Sequence, residues 1–194
     1  MKYLVNVFVL MAVLFVLSCA EKKTEVSEEQ VEGLRTTSME FMKNLKGVLI
    51  EQIQKNGVVQ AVSVCSDTAQ VLTNNFGLKN GVFIRRVSLK NRNPNNYPDQ
   101  FEKKILNQFE LLKQNNQLNE KTEHYEVVKE NEFTYIRFLK PILVQAECLN
   151  CHGDPGNMLP EVRELITQEY PDDKAVSYLL GDLRGAVSVK KLVE

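Results

Sequence analysis

The segment HYEVVKENEFTYIRFLKPILV, residues 124–144, reads as two strands folded back on each other around a turn near Asn131. Val, Ile, Tyr, Phe and Thr fill both flanks, and these are the residue types that suit a pleated, half-buried surface. Asn is a turn former because it tolerates left-handed backbone. So short a connection permits only antiparallel pairing. Two further strands stand on either side of this pair: GVFIRRVSL (81–89), started by Gly81, and GDLRGAVSVKKLV (181–193), a turn followed by a last strand.

The remaining segments repeat at helical spacing. Ser27 and Gln30 have capping-box spacing, and behind them Leu34, Phe41, Leu45, Val48, Leu49 and Ile53 recur on one face as far as Gly57, which is expected to close the helix. Val58, Ala61, Val62, Cys65, Ala69 and Leu72 form the face of a second helix. After the turn-rich KNRNPNNYPD, Pro98 is placed at the first position of a third helix carrying Phe101, Ile105, Phe109 and Leu112. A short helix is expected from Pro160 to Glu169. Helices followed by antiparallel strands imply one α+β domain, with long N-terminal helices flanking the sheet.

The chain has 194 residues, 43% hydrophobic and 25% charged, with a formal net charge of −1. This is an ordinary globular composition, and without a basic run nucleic acid is not an expected partner. The first residues are of another kind. Lys2 precedes an apolar run from Leu4 to Leu17 broken only by Asn6, and Ser18, Cys19 and Ala20 follow. The run is shorter than the ~20 residues that span a bilayer. A small residue before a cysteine at its end matches a bacterial lipoprotein signal. The expectation is a signal peptide over 1–18, lipidation of Cys19, a charged tether over 19–28 and a folded domain over 29–194. That places the domain on the periplasmic side of a bacterial membrane, anchored by lipid.

Cys65, Cys148 and Cys151 remain after Cys19. The last two lie in ECLNCHGDPG (147–156), with His152 directly after the second. Cys-x-x-Cys-His is the spacing of c-type haem attachment, in which both thiols add to porphyrin vinyl groups and the histidine reaches the iron. A zinc site lacks a usual fourth ligand. A thioredoxin-type pair wants a helix directly after the motif, where GDPG stands instead. A plain disulfide is the remaining alternative. Export favours one covalent haem. For the other face of the iron the candidates are Cys65, His124, Met158, Met39 and Met42. Cys65 faces inward, has no disulfide partner and is a strong ligand as thiolate. His124 lies in a polar stretch, Met158 is close to His152 along the chain, and Met39 and Met42 have packing as their default role. Arg85, Arg86, Arg92 and Arg137 are candidate partners for haem propionates, with Arg92 preferred.

Four stretches, AVSVCSDTA (61–69), RRVSLKNRNPNNYPDQFE (85–102), CLNCHGDP (148–155) and YPDDKAVSYLLGDLRGAVSV (170–189), together resemble a family of c-type haem domains with a PAS-like fold. The resemblance implies that His152 and Cys65 hold the iron. A single haem suits electron transfer, and the resemblance favours sensing of redox state or of a small gas such as CO or NO. The partner is then a redox or signalling protein. A thiolate ligand stabilises ferric iron, so a low potential is expected. With both axial positions filled, no open site is left for a substrate, and an enzyme is not expected.

Overall fold

The computed structural model describes residues 25–193. The signal segment and Cys19 lie outside the described residues. Helix α1 (Glu28–Asn80) starts with a true capping box, Ser27 and Gln30 satisfying each other's backbone N–H groups. Gly57 interrupts it at φ 80°, ψ 169°, a conformation open essentially to glycine alone. The two arms fold back on one another at this point: the rings of Phe41 and Phe76 are 5.4 Å apart, whereas a continuous helix at 1.5 Å per residue holds them about 50 Å apart. The second arm ends at Gly81, in the left-handed conformation of a helix C-cap. Gly81 therefore closes a helix rather than starting a strand.

Strand β1 (Phe83–Val87) follows, then α2 (Gln100–Gln114). Pro98 does not open α2. Asp99 is its N-cap, in a reciprocal capping box with Glu102, which leaves the proline in the preceding loop. Strands β2 (His124–Glu130) and β3 (Phe133–Leu143) pair around Asn131, at φ 57°. Next come the one-turn helix α3 (Leu149–His152), helix α4 (Pro160–Glu169) and strand β4 (Leu183–Leu192). The sheet runs β1-β4-β3-β2 with every pairing antiparallel. Its fold is α+β and PAS-like.

Strand alternation divides the core in two. On one face Ile84, Phe138, Val187 and Val189 pack under Val31, Leu34 and Phe41 of α1. On the other, Val87, Leu139 and Ala186 meet Ile105, Leu106 and Phe109 of α2. Each side chain so buried contributes about 1.5–3 kcal/mol. A third, smaller cluster joins Val62 of the second arm to Val162 and Ile166 of α4.

The β3–β4 register breaks where Ile142 faces Gly185 but Leu143 faces Leu183. Arg184 is the extra residue of this bulge. Gly185, at φ 153°, lets the strand pass so close to β1 that an added Cβ falls 2.2 Å from the Val87 carbonyl oxygen. Gly185→Ala is expected to cost about 3 kcal/mol, combining backbone strain with overpacking. The measurement is the urea midpoint. An unchanged midpoint contradicts the close approach.

Candidate functional site

A cleft of about 560 Å³ opens between the α1 hairpin and the sheet. Its hydrocarbon wall is made by both arms, with Leu45, Leu49 and Ile53 from the first and Val58, Val62 and Leu72 from the second. The volume falls in the range of small-molecule and cofactor sites. Cys65, Arg86, Arg92, Cys148, Cys151 and His152 all line it. Residues far apart in the chain thus meet in one space, with Cys65 arriving from the helical hairpin and the cysteine motif from α3.

The motif is held from several sides. Its turn of helix ends at Gly153, whose N–H reaches the Leu149 carbonyl at 3.0 Å. Cys148 packs with Val144, Ala175 and Tyr178, and Cys151 packs with Val62 and Val162. Lys46 of the first arm pairs with Glu147 at 2.5 Å. The three cysteines described carry free thiols. Burial pushes the Cys65 thiol up, opposed by the charge of Arg86, and pushes Cys151 up, opposed by Arg92. Both are protonated at neutral pH.

His152 has a defined tautomer. Its Nδ1 lies 2.7 Å from the Ala175 carbonyl oxygen. A carbonyl only accepts, so Nδ1 carries the hydrogen and Nε2 keeps its lone pair. Burial first, then Arg184 and Arg92, hold the imidazole well below its ordinary value, so it is neutral. The Tyr178 ring stands edge-on to it, at 89° with centroids 6.3 Å apart. The loop after α4 fixes the backbone as well: Tyr178 N–H donates to the His152 carbonyl at 3.0 Å, and Ser177 N–H to Gly153 at 2.8 Å.

The arginines separate by strand face. Arg85 and Arg137 point away from the cleft: both bind the buried carboxylate of Glu102, Arg85 through Nε at 3.2 Å and Arg137 through Nη2 at 3.2 Å. They are not candidates for this site. Arg92 reaches the cleft wall, but Nε and Nη2 are committed to protein. Nε donates to Asp173 at 3.1 Å, and Nη2 reaches Asp173 at 3.0 Å and the Cys151 carbonyl at 2.6 Å. Arg86 differs, because its Nε is buried with no hydrogen-bond partner among the described residues. Arg184 also lines the cleft, with Nη1 on Ser88 Oγ at 3.0 Å and its guanidinium 5.4 Å from the Tyr178 ring centroid. Tyr170 lines the same space.

Of the other ligand candidates, Met42 and the largely exposed Met39 line the cleft, and Met158 is buried without reaching it. His124 opens β2, where Nε2 lies 3.1 Å from Glu126. Arg184, Tyr170 and Asp173 were not expected from the sequence. The tail GDLRG reads as a plain turn, and only the bulge turns Arg184 into the cleft.

Comparison with known proteins bears on the family. A solved structure, that of the cyanobacterial haem protein Tll0287, is similar at 25% identity with a TM-score of 0.61, covering 87% of this chain and 98% of that one. No curated protein matches. The family model for Tll0287-like proteins matches residues 18–191, nearly the whole sequence. The chain belongs to the Tll0287-like family.

Proposed function

We propose that the cleft takes one haem, attached covalently through Cys148 and Cys151, with His152 Nε2 on one face of the iron and Cys65 Sγ on the other. The observation that carries this is the meeting of Cys65 and His152 in the walls of one apolar cleft. Three further features fit the same group. Both motif thiols are free, the His152 lone pair is held ready, and a buried guanidinium nitrogen of Arg86 lacks an acceptor. The solved relative is itself a haem protein.

When bound, the haem supplies one-electron exchange. The chain's residues set its conditions. The apolar side chains of the α1 arms give the ring a low-dielectric wall, which strengthens charge interactions beside it. Arg86 and Arg184 replace Arg92 as partners for the propionates, since Nε and Nη2 of Arg92 are already taken. Cys65, as thiolate on the iron, favours the ferric state. The protein is then a low-potential electron carrier or redox sensor, tethered through Cys19 to the periplasmic side of a membrane and working with a redox or signalling protein. With a donor on each face, no position stays open for a substrate, so we do not assign it an enzymatic activity.

A second reading, a sensor of CO or NO, is favoured by the placement of Cys65. Its arm joins the first one through Gly57, a backbone position with unusual freedom, so release of the thiol leaves that arm able to shift. Rapid mixing of the reduced protein with CO separates the two readings. Fast, saturable binding supports the sensor, and no binding supports the carrier.

The test of attachment uses the thiols one at a time. Cys148→Ser and Cys151→Ser are each expected to leave at most one thioether, which shifts the alkaline pyridine haemochrome band. The double variant is expected to lose all haem that resists acid–acetone extraction. Extraction-resistant haem in the double variant contradicts the assignment.

A further inference from the structure

We propose that Arg92 and Asp173 form a positioning pair for His152, holding the Ala175 carbonyl that takes the imidazole hydrogen and so setting how strongly Nε2 donates. The inference rests on the haem function proposed above and deepens it.

The connections run through one residue, Ala175. Asp173 Oδ2 receives both Nε and Nη2 of Arg92, at 3.1 and 3.0 Å. Its other oxygen, Oδ1, receives the Ala175 N–H at 2.8 Å. Nη2 of Arg92 also reaches the Ala175 carbonyl at 3.3 Å, and that same oxygen accepts from His152 Nδ1. Arg92 therefore touches the motif twice, at the Cys151 carbonyl and through the acceptor of its histidine. The Asn91 carbonyl takes the Lys174 N–H at 3.2 Å and ties the two loops together beside the pair. The pair's side chains are only 12% and 9% exposed, so neither charge is screened by water.

This arrangement has a consequence for basicity. A carbonyl oxygen has two lone pairs, and here a cation draws on one while the imidazole N–H uses the other. The guanidinium weakens the carbonyl as an acceptor, and the carboxylate offsets the guanidinium. Partners of this kind orient a ligating histidine and tune its donation, with effects of about tenfold or more on removal. Loss of the Arg92 charge leaves a stronger acceptor on Nδ1–H and an unopposed carboxylate nearby, and both favour ferric iron. Loss of the Asp173 charge does the reverse.

The experiment is a redox titration of the haem-loaded, full-length protein with R92Q, D173N and the double variant. R92Q is expected to lower the midpoint and D173N to raise it, each by about tenfold in the ferric–ferrous equilibrium, which is 59 mV for one electron. The double variant is expected to return near the wild-type value. Shifts of the two single variants in the same direction, or no shift in either, overturn the proposal, because a purely structural brace does not produce opposed signs. Where R92Q does not fold, D173N against D173E carries the same test. A rise in the first and none in the second upholds the pair, and equal values overturn it. Haem content is measured first. Wild-type protein without covalent haem defeats the proposed function itself, whereas loaded variants without opposed shifts defeat only the pair.

Discussion

Replacement of Cys65 by serine is expected to abolish the low-spin thiolate signal in the low-temperature EPR spectrum of the ferric protein, while covalent haem is retained. Cys65 stands on the second arm of α1, in the cleft with Val58, Val62 and Leu72. A serine hydroxyl is isosteric enough to leave that arm packed but is a far weaker donor to iron. The midpoint is expected to rise by at least a hundredfold in the redox equilibrium, roughly 120 mV for one electron. Stability is expected to change by less than about 1.5 kcal/mol, because the substitution leaves no large void. A thiolate signal that survives in Cys65→Ser removes this residue from the iron.

Glu102→Ala is expected to have the opposite profile, a large loss of stability with an unchanged haem spectrum. Glu102 is 1% exposed and lies on the sheet face away from the cleft. It caps α2 through Asp99 N–H at 2.8 Å and is the shared acceptor of Arg85 and Arg137. Arg137 is itself buried, sandwiched between this carboxylate and the Phe101 ring, with its guanidinium carbon 4.4 Å from the ring centroid. Arg137 then keeps only Asp99 at 2.7 Å and Glu130 at 3.3 Å, and α2 loses its reciprocal cap, at a combined cost of about 2–3 kcal/mol. Urea denaturation measures this, and a loss below about 1 kcal/mol contradicts the network. Glu102→Gln, which keeps an acceptor for both arginines, is expected to cost less than the alanine variant.

The local part of this structure was legible from residue patterns. Gly57 separates two apolar stripes, and the backbone breaks there. Ser27 and Gln30 have capping-box spacing and form that box. Asn131 sits at the hairpin turn. The stripe from Val58 to Leu72 already placed Cys65 among inward-facing residues. Non-local features were harder to read. Arg85 and Arg86 are adjacent and alternate across a strand, but nothing in the sequence says which face of that strand meets the cleft. Arg184 is turned by a bulge whose only mark is Gly185, and in GDLRG that glycine resembles part of a turn. The partner of His152 is a backbone carbonyl, which has no residue-type signature, so Ala175 and the pair that holds it became visible only with the loops in place. Pro98 and Gly81 each lie one step outside the element their residue type suggests, because Asp99 caps α2 and Gly81 ends α1.

The proposed function requires one covalently attached haem in this cleft. The most direct test is intact mass spectrometry, combined with the pyridine haemochrome spectrum, of the protein exported from a host with c-type haem maturation. The expected result is a mass increase of one haem that survives denaturation and is located to the peptide containing Cys148 and Cys151. A chain that carries no covalent haem, with those two cysteines joined as a disulfide, contradicts it.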